Sequence, residues 1–170
     1  AGSLMAKYAI GTMVDAFEKT EADAELHLYG SPAAASELMK SHPNCKKTKY
    51  MGVLPQSEVF KKMQEASLLI NPRPSTLDLA KYSCPSKTFE YMVSGTPILM
   101  TKLPGLPEEY HPYIYFFDEE SEEGFKQKFD EILAKPKEEL RQKGEDAASF
   151  LLSNKGYTLQ VSKLLDFIVL

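Results

Sequence analysis

The spacing of apolar residues along the chain changes repeatedly between helical and strand-like periods. Ile10, Met13, Val14 and Phe17 recur on one helical face and predict a helix over 9–19. Residues 24–29 alternate loosely and run into Gly30-Ser31-Pro32, the pattern of a strand closed by a turn. A short helix over 33–40 and a short strand over 48–51, closed by Gly52, follow. Pro55 and Ser57 open a helix that turns Val59, Phe60 and Met63 inward. Residues 67–70 form a continuous apolar run, as expected of a strand covered on both faces. A polar loop over 71–83, stiffened by Pro72 and Pro74, leads to a helix over 86–93 that stops before Gly95 and points Phe89, Met92 and Val93 inward. Strands are expected over 97–100 and 113–117, linked by a turn shaped by Pro104, Gly105 and Pro107.

Beyond Asp118 the pattern is wholly helical. Phe125, Phe129, Ile132 and Leu133 mark one helix, and Leu140, Ala147, Phe150 and Leu151 a second that begins at Pro136. A third is expected over 157–167, burying Val161, Leu164 and Leu165, with Ile168 nearby. Alternating strands and helices predict an α/β fold, an open parallel sheet with helices on both faces, built from right-handed crossovers. Residues 1–136 are expected to form this domain, with helices over 137–170 packed on it. Ala1-Gly2-Ser3 reads as a glycine turn without the apolar strand that should lead into it, so the first strand is expected to be missing.

Composition narrows the partners. The chain has 170 residues, enough for one domain with a proper core, and 43% of them are hydrophobic. A net charge of -4 gives no reason to expect DNA or RNA. Cys45 and Cys84 have no ligand spacing, and His27, His42 and His111 fall in different elements, so no metal motif is present. Asp118, Glu119, Glu120, Glu122 and Glu123 read as a solvated loop and helix start. No run approaches a membrane span and no leader opens the chain, so a cytosolic setting is expected.

The candidate chemistry concentrates in SLLINPRPSTLDLAKYSCPSKTFEYMVSGTPILM, residues 67–100. A loop and a helix start beside parallel strand ends make the usual anion site of α/β proteins. Arg73, Lys81, Ser83, Ser86, Lys87 and Glu90 are offered there, a set suited to a nucleotide diphosphate. Lys87, in the first helical turn, adds a mobile positive charge suited to pyrophosphate; the competing reading is a surface lysine, with Ser83 or Ser86 as helix cap. Glu90 could accept from two neighbouring hydroxyls such as those of a ribose, or could form only an i,i+3 salt bridge with Lys87. Gly2, Ser3 and Lys7 form a candidate second wall, and Asn71 is read chiefly as a local cap. There is no P-loop, no G-x-G-x-x-G, no nucleophile elbow and no spaced carboxylate pair, so the chain lacks an obvious base.

These residues resemble the C-terminal, nucleotide-sugar-binding domain of the GT-B glycosyltransferases, a Rossmann-like half of that fold, and specifically the GT4-like retaining group. The resemblance runs through GSLMAKYAIGTMVDAF at 2–17, AELHLYGS at 24–31, YMGVLP at 50–55 and SLLINPRPS at 67–75. The segment KYSCPSKTFEYMVSGTPILMTKLPGLPEEY at 81–110 is similar to transferases of bacterial capsule and exopolysaccharide synthesis. The resemblance implies that Glu90 binds the ribose hydroxyls of the donor. It implies that Ser86 and Lys87 lie against the diphosphate and sugar, that Arg73 borders the nucleotide or sugar, and that the Gly2 turn faces the phosphates, with Asn71 and Tyr82 contributing less. Lys87 and Arg73 are then the candidate catalytic groups, stabilising the leaving diphosphate without a metal or further cofactor.

Two positions depart from the family pattern. A second glutamate, separated from the one matching Glu90 by seven intervening residues on its N-terminal side, is common in relatives; Tyr82 stands there, so sugar recognition must differ. Ser3 and Tyr8 occupy places that hold arginine and lysine in many relatives, which leaves the phosphate role to Lys7 or to Arg73, Lys81 and Lys87. The resemblance also implies an N-terminal acceptor-binding domain in the same polypeptide, peripheral contact of the full-length enzyme with the inner face of a membrane, and no transfer by this domain alone. Two other readings compete. A nucleotide-sugar epimerase of the same fold is disfavoured by the scarcity of histidine. A response-regulator-like or flavodoxin-like domain is disfavoured by the basic loop over 71–87 and, for the former, by the lack of a clustered aspartate pocket.

Overall fold

A computed structural model of the chain describes residues 2–156 together with 161, 162 and 165. The helix expected over 157–167 lies, but for those three positions, outside the described residues. In chain order the elements are α1 (Ile10–Glu18), β1 (Leu26–Leu28), α2 (Pro32–Ser41), β2 (Thr48–Tyr50), α3 (Gln56–Glu65), β3 (Leu69–Asn71), α4 (Ser86–Ser94), β4 (Ile98–Met100), β5 (Tyr115–Phe116), α5 (Glu122–Leu133) and α6 (Lys137–Lys155). All strand pairs are parallel: β1 with β2, and β3, β4 and β5 in that order. An isolated parallel bridge joins Gly2 to Gly30. The α/β fold with helices on both faces of parallel strands is the one expected.

β4 shows why the sheet is apolar on both faces. Leu99 points into a cluster with Val14 and Phe17 of α1 and Phe125 and Phe129 of α5. Ile98 and Met100, alternating with it, point into a second cluster with Met63 of α3, Met92 of α4 and Ala147 of α6. The sheet therefore lies between α1, α2 and α5 on one side and α3, α4 and α6 on the other. Phe17 meets Phe129 edge-on with ring centres 5.3 Å apart, which ties α1 to α5.

Helix α6 is held close to α4 by a glycine. A Cβ on Gly144 would stand 2.1 Å from the carbonyl oxygen of Gly95, the left-handed residue (φ +76°) that ends α4. Leu140, Gly144, Ala147 and Leu151 form the buried stripe of α6, and Phe150 stacks on Tyr113 at 4.4 Å. The acidic run is a helix start, as expected: the Ser121 side chain accepts from the Gly124 N–H at 3.1 Å, with Glu122 and Glu123 in the first turn.

Three expectations need correction. Val93 is exposed, because the inward stripe of α4 runs through Thr88, Tyr91 and Met92 and leaves the next position facing out. The strand expected over 113–117 shrinks to two residues, since a 3-10 turn over Glu108–Tyr113, containing Pro112, takes up its start. The run at 67–70 is apolar but only partly covered, whereas β4 is wholly buried; β4 is paired along both edges and β3 along one.

Candidate functional site

The site is assembled from a glycine turn, a helix start and the loop after β3. Gly2 adopts φ +125°, open in practice only to glycine, and its N–H donates to the Tyr29 carbonyl at 2.8 Å. Gly30 passes so near that a Cβ there would lie 2.2 Å from the Gly2 carbonyl oxygen. The Tyr50 hydroxyl donates to the Gly30 carbonyl at 2.8 Å, which pins this crossing to β2. On the far side of the turn stands Lys87. A Cβ on Gly2 would lie 2.5 Å from its Cε and 2.7 Å from its Nζ. The turn and the first residues of α4 thus share one small volume.

Helix α4 begins at Ser86 after Pro85, and no side chain caps it. Ser83, one of the two expected caps, instead donates its hydroxyl to the Leu79 carbonyl at 2.6 Å. The free N–H groups of the first turn and the helix field therefore favour an anion beside Lys87. Lys87 makes no ion pair among the described residues, and the expected alternative of a Lys87–Glu90 salt bridge does not form. Glu90, one turn on, is half-buried and also without an ionic partner.

The loop after β3 brings Arg73 alongside. Asn71 Oδ1 accepts from the Arg73 N–H at 3.4 Å, the local capping role expected of it. The Arg73 Nε is buried with no acceptor. A buried donor left unmet costs about 1–3 kcal/mol, so this group is primed for an incoming acceptor. Burial pushes the Cys84 thiol up, and the nearby Arg73 charge offsets part of that. The loop is braced from behind by Gly105, whose N–H donates to the Ala80 carbonyl at 2.9 Å and whose missing Cβ would stand 2.8 Å from that oxygen.

Ser3, Asn71, Arg73, Ser86 and Lys87 line one cavity of about 810 Å³, with Gly2 against Lys87 at its mouth. Tyr91 forms part of the wall; burial pushes its hydroxyl up to about 12, so it stays neutral and is no base. Besides Gly2, the expected residues Lys7, Lys81, Tyr82, Ser83 and Glu90 do not line the cavity. Lys7 is exposed on the 3-10 turn Ala6–Tyr8 with its ammonium 5.2 Å from the Tyr8 ring centre. Lys81 and Tyr82 sit at the exposed end of the turn Asp78–Lys81, Tyr82 being 86% accessible. Glu90 lies along α4 beyond the cavity lining. Sequence reasoning overlooked Tyr50 and the crossing partners of Gly30 and Gly105. The Gly-Ser-Pro and Pro-Gly-Leu-Pro turns were visible, but not what each would touch. Among the described residues there is no cluster of His, Cys, Asp and Glu that could hold a metal, and no helix long and apolar enough to cross a membrane.

Comparison with known proteins agrees with this architecture. The family model described as "Glycosyl transferases group 1" matches residues 1–135. The C-terminal domain of the group 1 family glycosyl transferase LpcC from Francisella tularensis superposes with a TM-score of 0.70 at 16% identity, covering 92% of this chain and 84% of that one. AviGT4, a glycosyltransferase involved in avilamycin A biosynthesis, gives a TM-score of 0.52 at 14% identity; 94% of this chain is covered, and it spans 50% of AviGT4. No protein of curated function matches. With a family match over residues 1–135 of 170, the chain belongs to the group 1 glycosyl transferases.

Proposed function

We propose that the chain is the donor-binding domain of a retaining glycosyltransferase of the GT4-like group, which moves a sugar from a nucleotide diphosphate to a carbohydrate or lipid-linked acceptor. The carrying observation is the meeting of the Gly2 turn, the uncapped start of α4 and the unpaired cations Lys87 and Arg73 at the mouth of one cavity. The diphosphate lies against the N–H groups of Ser3, Ser86 and Lys87, with the Lys87 ammonium across it. Arg73 donates to the β-phosphate or sugar. As the glycosidic bond to phosphate breaks, both cations stabilise the charge growing on the leaving group, a role worth most in a site that excludes water. Glu90 accepts from the ribose hydroxyls at the outer end of the site. The exposed Lys7, Lys81 and Tyr82 contribute on closure with an N-terminal acceptor domain of the same polypeptide, which supplies the acceptor and any membrane contact at the inner face. The similarity of residues 81–110 to transferases of bacterial capsule and exopolysaccharide synthesis supports a polymer or its lipid-linked precursor as product.

Calorimetric titration with UDP, GDP, ADP and dTDP tests the reading. One of them binds with a Kd in the millimolar range or tighter, and the affinity falls in Lys87→Ala. A folded domain indifferent to all four contradicts it.

A further inference from the structure

A second cavity, of about 870 Å³, opens beside the first at the carboxyl ends of β4 and β5. Its size falls within the roughly 300–1,000 Å³ of small-molecule clefts. Two thin partitions separate it from the donor site. One is the start of α1: Tyr8 and Ile10 line the first cavity, Ala9 and Thr12 the second. The other is the loop after β3, with Pro72 and Arg73 on one side and Pro74 and Thr76 on the other. Glu120 fastens that loop by accepting from the Ser75 N–H at 3.0 Å.

The wall chemistry narrows the ligand. Phe117 and Phe125, ring centres 4.3 Å apart, give an apolar floor. Around it stand the hydroxyls of Thr12 and Thr76, the ammonium of Lys102 and the carboxylates of Asp118, Glu119 and Glu120. Lys102 makes no ion pair among the described residues, and its Nζ lies 6.0 Å from the Phe116 ring centre. Of the carboxylates only Asp118 has an ionic partner among the described residues, Lys128 at 2.6 Å. A phosphate would meet this excess of negative charge. No set of His, Cys, Asp and Glu among the described residues is placed to hold a metal. An uncharged ligand rich in hydroxyls satisfies every group, because carboxylates accept, the ammonium donates and threonines do both.

A buried group points the same way. Thr101 is 2% exposed, and its Oγ1 has no hydrogen-bond partner. Its N–H extends the ladder to the Asn71 carbonyl at 3.2 Å, so strand alternation holds through this residue. The side chain therefore turns the way of Leu99, toward α1 and α5. Thr12, Phe117 and Phe125 enclose the second cavity from that side. A buried hydroxyl left unmet needs an explanation, and a ligand hydroxyl on this floor supplies one.

We propose that the second cavity binds one sugar unit of a neutral glycan, a hydroxyl-rich pyranose held apart from the nucleotide. A sugar there lies one partition away from Arg73, which suits a unit of the acceptor chain beside the sugar being transferred. That placement rests on the donor-domain reading; the sugar site itself does not.

The test titrates the chain with methyl glycosides of glucose, galactose and mannose and with N-acetylglucosamine, following backbone amides. At least one sugar shifts Thr12, Thr76, Lys102 and Phe117 on one saturating curve, with a Kd in the millimolar range, while Ser86 and Lys87 stay in place. Thr101→Val keeps the buried shape and removes the hydroxyl; it weakens that sugar by roughly threefold or more with Tm held or raised. Lys102→Ala weakens it as well. The absence of a saturating shift at these amides with every sugar, up to about 100 mM, overturns the inference. So does tighter binding of pyrophosphate or putrescine at the same amides, since the ligand would then be charged. Sugar binding that neither substitution changes also overturns it. Nucleotide titration reads Ser86 and Lys87 instead, so either site can fail without the other.

Discussion

The ammonium of Lys87 rests where a side chain on Gly2 would have to be: a Cβ there would lie 2.7 Å from Nζ. One residue is a turn near the start of the chain and the other opens α4, yet each shapes the space left for the other. Gly2→Ala both strains a φ of +125° and displaces the lysine. The strain costs about 1–3 kcal/mol in urea unfolding, and diphosphate affinity falls in the same variant. An unchanged midpoint would remove the turn from the account.

Lys87 and Glu90 divide the ligand between them. Lys87→Ala weakens both nucleoside diphosphate and inorganic pyrophosphate by roughly 10–100-fold, the worth of a charge-assisted hydrogen bond. Glu90→Ala weakens the nucleoside diphosphate and leaves pyrophosphate within about twofold. Parallel titrations with the two ligands separate the roles, and a reversed pattern contradicts both assignments.

Gly144→Ala inverts the usual helix rule. In an exposed helix interior the change stabilises by about 1 kcal/mol. Here the new methyl would stand 2.1 Å from the Gly95 carbonyl oxygen, a backbone atom that cannot swing aside. Helix α6 must lift from α4, and Tm falls by several degrees, about 2–4 °C for each kcal/mol.

Acid weakens the fold through Glu18. Burial alone would raise its pKa, but the N–H groups of Lys46, Lys47 and Thr48, at 2.7–3.1 Å, outweigh this and hold it below the ordinary value. A carboxyl depressed on folding contributes stability that is full above its unfolded pKa of about 4.3 and is lost as pH falls through the lower folded value. Asp130, bonded to Lys126, Thr20 and the Glu21 N–H, titrates with the same sign. Urea midpoints therefore drop from pH 5 to about pH 3, and Glu18→Gln flattens part of that slope.

Elements whose burial follows from local period were legible in the sequence. Met13, Val14 and Phe17 of α1, and Phe125, Phe129 and Ile132 of α5, are buried as their spacing indicates. The Lys87–Ser86–Arg73 side of the cavity was legible too, because a helix start beside strand ends has a local signature. Val93 was misread because apolar character does not tell position 93 from position 92 without the direction of the core. The Gly2–Lys87 contact, 85 residues apart in sequence, and the brace of Gly105 under Ala80 depend on tertiary approach, which no spacing rule encodes. Lys81 was offered by its place in the basic loop and Tyr82 only by the family resemblance; neither gives the direction of the turn that bears them, which is exposed.

The decisive measurement is amide shift mapping during titration with the best-bound nucleoside diphosphate. The account predicts that Gly2, Ser3, Arg73, Ser86 and Lys87 shift together with one saturation curve, and that the Arg73 Nε–H becomes slow to exchange. Shifts confined to the exposed Lys7 or Lys81, or scattered without a shared curve, would contradict it.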